Sequence, residues 1–174
     1  MGFLSKVGTL LPLLALAGCP NAGGKSEASK HPLARKPAPA VSVRLEKGGE
    51  FTPGDAKGKV LVVDFWATWC GPCKASFPRV DAIYKKHKSK GLEVVAINED
   101  DDLKKVPEFL ADTKVTFTIA FDHDGKAAET YGVQTMPSSF LVDRRGVVRY
   151  AHSGYHPDDA GQIEAEIEEL LSEE

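Results

Sequence analysis

The stretch VDFWATWCGPCKASFP, residues 63–78, places two cysteines between an apolar run and a helical pattern. Residues 60–67 are almost continuously apolar and rich in β-branched side chains, which is typical of a strand buried on both faces of an α/β sheet. Across residues 77–84 the apolar positions recur at helical spacing, with basic residues on the opposite face. The sequence therefore predicts a buried strand, a turn that carries Cys70 and Cys73, and a helix that begins near Cys70.

Strand and helix patterns alternate along the rest of the chain. The second buried strand follows a crossover helix, so it is expected to run parallel to the first. The short link between the last two strands predicts an antiparallel hairpin. The predicted strands are residues 41–45, 60–67, 92–98, 117–122, 138–143 and 147–152, and the helices after the first are about 103–112, 126–131 and 157–171. This order predicts one α/β domain, a central mixed β-sheet flanked by helices.

Composition and charge narrow the classes of function. The chain has 174 residues, enough for one domain with a substantial core. Hydrophobic residues make up 42% of it, and the net charge of -3 argues against a nucleic-acid partner. Only three cysteines are present, which excludes a fold held together by several disulfides.

Two thiols at the spacing of Cys70 and Cys73 could hold a metal, form a structural disulfide, or exchange electrons. A zinc site needs four ligands, and the scattered histidines show no ligand spacing, so no metal is expected. A disulfide across so short a loop constrains the unfolded chain little. Redox chemistry suits the pair better, because unpaired N–H groups at a helix N-terminus favour the thiolate of Cys70. Such exchange requires no organic cofactor.

The N-terminal segment is predicted to lie outside the folded domain. Residues 1–18 combine Lys6 with an apolar run too short to span a bilayer, as in a signal peptide. The box Leu16-Ala17-Gly18-Cys19 resembles the lipobox of bacterial lipoproteins, which implies a lipid on Cys19; in an ordinary secretory signal that cysteine would be incidental. Residues 19–40 are rich in Pro, Gly, Ser, Ala and Lys and predict a flexible, lipid-anchored linker. The domain is then residues 41–174.

Two landmarks together resemble the thioredoxin fold. The stretch quoted first is similar to the family's active-site strand, turn and helix, and Thr135-Met136-Pro137 before a strand resembles its cis-proline loop. A further β-α unit, at about 93–121, resembles the membrane-tethered TlpA/ResA-like thiol-disulfide oxidoreductases. The resemblance covers about residues 43–171, with residues 41–45 as an N-terminal β extension.

The resemblance implies a role for each residue of the motifs. Cys70 would be the exposed nucleophile, Cys73 the buried resolving thiol, and Pro137 a cis-proline that faces the pair. Trp69 is expected to be a partly exposed wall on which a partner packs. The substrate-binding set is Trp69, Gly71, Pro72, Thr135 and Met136.

Asp64 is an acid in the middle of a strand predicted to be buried. It could be hydrogen-bonded for structure alone, or it could be the family's buried carboxylate, which takes the proton of Cys73. The second role is favoured, because an unpaired acid in a buried strand is otherwise costly, so Asp64 is predicted to be the catalytic proton acceptor and donor. Two positions depart from the family's pattern. Ala96 stands where thioredoxin has a lysine, and Ser76 stands where many ResA-like proteins have a glutamate.

These features predict a monomeric, lipid-anchored oxidoreductase on the periplasmic or extracytoplasmic face of a membrane. By resemblance it would reduce secreted protein disulfides, for example in cytochrome c maturation, with a membrane thiol reductase as electron donor. The alternatives are a thiol oxidase and a copper-delivery protein, although the latter has a CxxxC spacing and a distal histidine. A peroxidase or a non-catalytic interaction module on the same fold is disfavoured by the WCGPC turn and Asp64.

Overall fold

The computed structural model describes residues 1–2 and 31–173, so the predicted signal peptide and Cys19 lie outside the described part of the chain. The described residues form a seven-stranded sheet with helices on both faces. The strands are β1 (Val43–Leu45), β2 (Glu50–Phe51), β3 (Val60–Trp66), β4 (Leu92–Asn98), β5 (Thr118–Phe121), β6 (Ser138–Val142) and β7 (Val148–Ser153). The helices are α1 (Gly71–His87), α2 (Val106–Thr113), α3 (Lys126–Tyr131) and α4 (Asp159–Ser172).

The sheet is mixed, as predicted, with the order β2-β1-β5-β4-β3-β6-β7. Strands β3, β4 and β5 are parallel, while β6 is antiparallel to β3 and forms a hairpin with β7. At the opposite edge, β1 pairs antiparallel with β5 and with β2. Strand β2 was not predicted, because two residues after a glycine turn show no periodicity.

Strand β3 divides the core into two layers. All seven of its residues are buried, which confirms the prediction of a strand covered on both faces. Val60, Val62 and Trp66 belong to the apolar layer that includes residues of α1, α2 and α4. Leu61, Val63 and Phe65 pack on the other face with α3. Since side chains alternate along a strand, Asp64 lies on the same face as Val62 and Trp66, beneath α1.

Helix α1 positions the cysteines at its first turn. Cys70 is the residue that caps the helix, and its sulfur accepts a hydrogen bond from the N–H of Cys73 at 3.1 Å. Pro72 lies in the first turn, where its missing N–H has no helical partner to lose. The C-terminal turn carries Lys85 and Lys86, whose positive charge is favourable beside the negative end of the helix dipole.

Helices α1 and α4 are joined by ion pairs at the end of α1 that is far from the cysteines. Lys86 Nζ lies 2.7 Å from Glu164 and 3.3 Å from Glu168, and the buried His87 lies 3.4 Å from Glu164. His87, Glu164 and Glu168 have the spacing of metal ligands. Because Lys86 already contacts both carboxylates, the cluster joins the two helices as a network of ion pairs. Within the part of the chain described here, none of the helices has the length and apolarity to cross a bilayer.

The segment from His31 to residue 40 packs against the domain and differs in this from the predicted linker at 19–40. Its backbone runs beside the outer edge of β7, with hydrogen bonds from Arg35 N–H to Val148 O and from Val148 N–H to Lys36 O. Pro37 forms a bridge with Val147, and Ala38 N–H bonds Gly146 O at 2.8 Å. Leu33 and Ala38 contact the second apolar layer. The prediction of a flexible linker rested on side-chain composition. This part of it is attached mostly through backbone hydrogen bonds, which side-chain composition does not reveal.

A chain that begins at Val41 is expected to be less stable than one that begins at His31. It loses three backbone hydrogen bonds, two to β7 and one to Gly146 in the turn before it, and uncovers an edge strand. At about 1 kcal/mol for each bond, the free energy of unfolding should fall by about 2–4 kcal/mol. Guanidinium unfolding of the two chains measures the difference. Equal midpoints would show that residues 31–40 contribute nothing to the fold.

Candidate active site

A disulfide joins Cys70 and Cys73 at the N-terminus of α1, with their Cα atoms 5.3 Å apart. Cys73 is completely buried. Cys70 is only 5% exposed, so it is more covered than the predicted exposed nucleophile. The reason is that its sulfur turns inward to Cys73, which leaves only an edge of Cys70 at the surface. When the disulfide is reduced, the N–H of Cys73 and the helix dipole favour the thiolate of Cys70.

A groove of about 490 Å³ lies beside this edge of Cys70. One wall is formed by the active-site turn, in which the Trp69 side chain is 70% exposed. The other is formed by the cis-proline loop, where the bond between Met136 and Pro137 is cis, as the resemblance implied. The residues that line the groove are Trp69, Cys70, Gly71, Pro72, Ala128, Val133, Gln134, Thr135 and Met136, all of them uncharged.

The cis-proline loop is held in place from both sides. The carbonyl of Pro137 accepts a hydrogen bond from Gly154 N–H at 2.7 Å, which ties the loop to the end of β7. The carbonyl of Thr135 accepts a bond from the Ser138 hydroxyl at 2.7 Å. The predicted substrate-binding residues are thus gathered on the two walls of one groove, with the disulfide between them.

Asp64 lies in the core on the cysteine side of the sheet. It is 1% exposed, and its Oδ1 accepts a hydrogen bond from Ser139 Oγ at 2.5 Å. Its Oδ2 is buried without a partner among the described residues. Burial raises the pKa of Asp64 to about 7, and the Ser139 hydrogen bond partly offsets this rise. A carboxyl with this pKa can gain and lose a proton near neutral pH.

The neighbours of Asp64 on the adjacent strands explain its environment. Ala96 of β4 and Ser139 of β6 are its partners in the sheet register. No basic side chain therefore flanks Asp64 on either neighbouring strand. Ser76 is buried and donates its hydroxyl to the carbonyl of Cys73 at 3.0 Å. Ser139 was missed by the sequence analysis, because only the register of β6 brings it to Asp64.

Asp100 anchors the turn that leads to the cysteines. Its carboxylate accepts bonds from the Thr68 N–H and hydroxyl, both at 2.8 Å, and from Asn98 Nδ2 at 2.7 Å. Asp100 is 7% exposed, so these bonds are shielded from water. The acidic run 99–102 directly precedes the helix predicted at about 103–112, and Asp102 caps a short 3₁₀ turn by accepting from Lys104 N–H. The role of Asp100 was not predicted.

We expect Asp100→Ala to destabilise the fold by about 2–4 kcal/mol and to slow disulfide exchange. The substitution removes three hydrogen bonds to a charged acceptor and leaves the Thr68 N–H without a partner. Thermal unfolding and the rate of reduction by dithiothreitol measure the two effects. Asp101→Ala is the matched control, since Asp101 is exposed, and should change stability by less than about 0.5 kcal/mol. Equal effects of the two substitutions would contradict the anchoring role.

Glu99 is a second carboxyl with an altered pKa at this end of the sheet. Partial burial and the neighbouring Asp122 raise its pKa to about 8. Asp122 also accepts a hydrogen bond from Ala128 N–H at 2.9 Å, and Ala128 lines the groove. Glu99 and Asp122 thus lie close to the wall of the groove that Ala128 of α3 forms.

Comparison with known proteins agrees with this site. The chain belongs to the Redoxin family, whose model matches residues 33–171. The thiol-disulfide oxidoreductase ResA of Bacillus thuringiensis subsp. konkukian (strain 97-27) is 37% identical over 113 residues, which is 65% of each chain. ResA of Bacillus subtilis (strain 168) is 35% identical over 111 residues, 64% of this chain and 62% of that one. The chain therefore spans slightly less than two thirds of the length of these relatives.

Solved structures confirm the predicted fold class. A Chlorobium tepidum protein, provisionally assigned as the thiol:disulfide interchange protein DsbE, is 40% identical with a TM-score of 0.75, over 78% of this chain and 96% of that chain. StoA from Bacillus subtilis is 27% identical with a TM-score of 0.62, over 74% of this chain and 98% of that one. The chain is a thioredoxin-fold protein of the TlpA/ResA-like type.

Proposed function

We propose that this protein is a thiol-disulfide oxidoreductase that exchanges a dithiol for a disulfide in other proteins. The observation that carries the proposal is the Cys70–Cys73 disulfide at a helix N-terminus, at the edge of an uncharged groove. A buried carboxyl on the same face of the sheet supports it. The ResA and DsbE names of the similar proteins agree with this activity.

In the reducing direction the reaction has two exchange steps. The Cys70 thiolate attacks a client disulfide, a bond forms between Cys70 and one client sulfur, and the other client sulfur leaves as a thiolate. Asp64 then takes the proton of Cys73, whose sulfur attacks Cys70. The bond between Cys70 and the client breaks and the second client thiolate leaves. Two electrons have passed to the client, and an external dithiol restores the Cys70–Cys73 pair.

The groove favours an extended, uncharged client segment around the disulfide. Trp69 offers a flat exposed surface for packing, and a charged client residue would lose hydration without gaining an ionic partner from the lining. Gly71 and Pro72 add little bulk beside Cys70, so client backbone can approach its sulfur. Thr135 and Met136 form the facing wall.

The proposed biological direction is reduction of disulfides in secreted proteins, for example in cytochrome c maturation. The protein would act as a monomer on the periplasmic or extracytoplasmic side, attached through a lipid on Cys19, with a membrane thiol reductase as its electron donor. The lipobox-like stretch at Cys19 and the resemblance of the motifs to membrane-tethered TlpA/ResA-like proteins support this setting. Disulfide insertion is the alternative, because a strongly stabilised Cys70 thiolate would make the pair oxidising.

The reduction potential of the Cys70–Cys73 pair tests both the activity and its direction. We expect a value near about -270 mV, as in thioredoxin, when the protein is equilibrated with dithiothreitol buffers. A value near about -120 mV would instead support disulfide insertion. The absence of a reversible two-electron couple would reject the oxidoreductase function.

A further inference from the structure

A row of polar side chains crosses the sheet from Asp64 to its edge. Asp64 of β3 is paired in register with Ser139 of β6, and Ser139 is paired with His152 of β7. Facing residues on neighbouring strands point to the same side, with Cβ atoms about 5 Å apart. The three side chains therefore lie side by side on the face covered by α1 and α4. On this face the row interrupts an otherwise apolar layer.

Helix α4 extends the row to solvent. His152 Nε2 lies 2.6 Å from Glu166 Oε2, and Gln162 Nε2 donates to Glu166 Oε1 at 3.0 Å. Glu166 is 7% exposed, so its position opposite His152 is fixed within the protein. His152 and Gln162 line an open cleft of about 410 Å³ at the edge of the sheet. The cleft thus gives water access to one end of the row.

The resolving step, in which Cys73 attacks the bond between Cys70 and the client, requires a path by which a proton can leave Asp64. During this step a client segment is bonded to Cys70 and lies over the groove, so solvent is excluded from the cysteine side. Asp64 is 1% exposed and cannot pass its proton directly to water. The row leads away from the covered groove to a different face of the molecule.

We propose that Ser139, His152 and Glu166 form a relay that moves protons between Asp64 and the cleft. The inference rests on the proposed role of Asp64 as the base for Cys73. In the structure the Ser139 hydroxyl donates to Asp64 Oδ1. After Asp64 has taken the Cys73 proton, the Ser139 hydroxyl turns across the β6–β7 pair and donates its proton to the His152 imidazole, while its oxygen accepts the proton of Asp64. The imidazolium is stabilised by the Glu166 carboxylate until the proton leaves into the cleft. Asp64 is then a carboxylate again and no net proton remains on the row.

The charged and titratable groups around the row are few. Asp64 lies on the cysteine side of the sheet and accepts a hydrogen bond from the Ser139 hydroxyl, while His152 faces Glu166 of α4. The cleft adds His31 from the N-terminal segment and Asp159 from the start of α4. Beside Glu166 lie Tyr150 of β7 and Glu169 of α4. A change in the pH profile of the His152 variants must therefore be compared with His31, Asp159, Tyr150 and Glu169.

The test is the rate of the resolving step in the full chain, with a short uncharged peptide that carries one disulfide. We expect His152→Gln, which keeps a hydrogen-bond donor near Glu166 but cannot carry a proton, to slow this step by at least about tenfold. The reduction potential should not change, because a relay alters rates and not equilibria. His152→Ala should be equally slow, and added imidazole should restore its rate through the cleft. His156→Gln is the matched control, since the His156 side chain is 72% exposed and outside the row.

Two results would overturn the relay. One is a normal rate for His152→Gln, and the other is a slow His152→Ala protein that does not respond to imidazole. Asp64→Asn separates this proposal from the one on which it rests. A slow Asp64→Asn protein beside a normal His152→Gln protein rejects the relay alone, whereas a normal Asp64→Asn protein rejects the base and the relay together.

Discussion

Cys73→Ser is expected to trap the protein as a stable mixed disulfide with its client through Cys70. The nucleophile at the helix N-terminus remains, but the buried thiol that completes the exchange is gone. Turnover should fall to the uncatalysed rate, while the first attack on a peptide disulfide proceeds. Non-reducing electrophoresis and mass spectrometry of the full chain, incubated with the peptide, identify the adduct and the cysteine that carries it.

Cys70→Ser is the matched control for this experiment and should form no adduct. Cys73 has no exposed surface and cannot reach a client held in the groove. Adducts of equal yield in the two variants would mean that either sulfur can attack. The assignment of nucleophile and resolving thiol would then be wrong.

Asp64→Asn is expected to slow the resolving step by about a hundredfold or more at pH 8. In the wild-type protein this rate should rise through about pH 7, where Asp64 becomes a carboxylate and can accept the proton of Cys73. The variant should lack this rise. Stopped-flow measurement of client release over a range of pH gives both quantities. Glu99→Gln is the control, because Glu99 also has a raised pKa, of about 8, but is not one of the residues of the apolar layer that contains the cysteines.

The substitution Asp64→Asn should also stabilise the folded protein at alkaline pH. The pKa of Asp64 is about 7 in the folded state and near 3.8 in the unfolded chain, so the folded protein binds the proton more tightly. Below about pH 4 both states are protonated and the wild type has no penalty. The free energy of unfolding of the wild type falls as the pH rises from about 4 to about 7, and it stays at its lowest value above pH 7. The total loss is roughly 4 kcal/mol, since the folded and unfolded pKa values differ by about three units.

Asp64→Asn should therefore raise the free energy of unfolding at pH 8 by up to roughly 4 kcal/mol and leave it nearly unchanged at pH 4. Guanidinium unfolding of the oxidised proteins at the two pH values measures this. A gain that is equal at both pH values would point to altered packing, and would contradict the pKa assigned to Asp64.

The features that the sequence predicted well are encoded by neighbouring residues. Strand β3, the first turns of α1 and the cysteine pair lie within one short stretch of sequence. The pattern of apolar residues and the spacing of the cysteines within that stretch are sufficient to predict them. The loop around Pro137 was found only through its resemblance to a family. Asp64 was identified as a candidate because burying an acid in a strand costs free energy unless the acid is paired or has a functional role.

The features that were missed depend on contacts between distant parts of the chain. Ser139 is 75 positions from Asp64, and a shift of one residue in the register of β6 would turn it to the other face. Asp100 could not be distinguished from Asp101 in a run of acids, since only the path of the chain after β4 brings it to Thr68. The attachment of residues 31–40 depends on backbone hydrogen bonds to β7, which are independent of side-chain type.

The position of His31 determines from which end of the domain the upstream chain departs. His31 borders the cleft with Gly154, whose N–H bonds the carbonyl of Pro137, so the departure point is at the disulfide end of the sheet. With the proposed lipid on Cys19, twelve residues of fully extended chain reach at most about 40 Å. The disulfide end of the domain would then stay within that reach of the membrane surface. A donor embedded in that membrane could therefore meet the disulfide without the domain leaving its anchor.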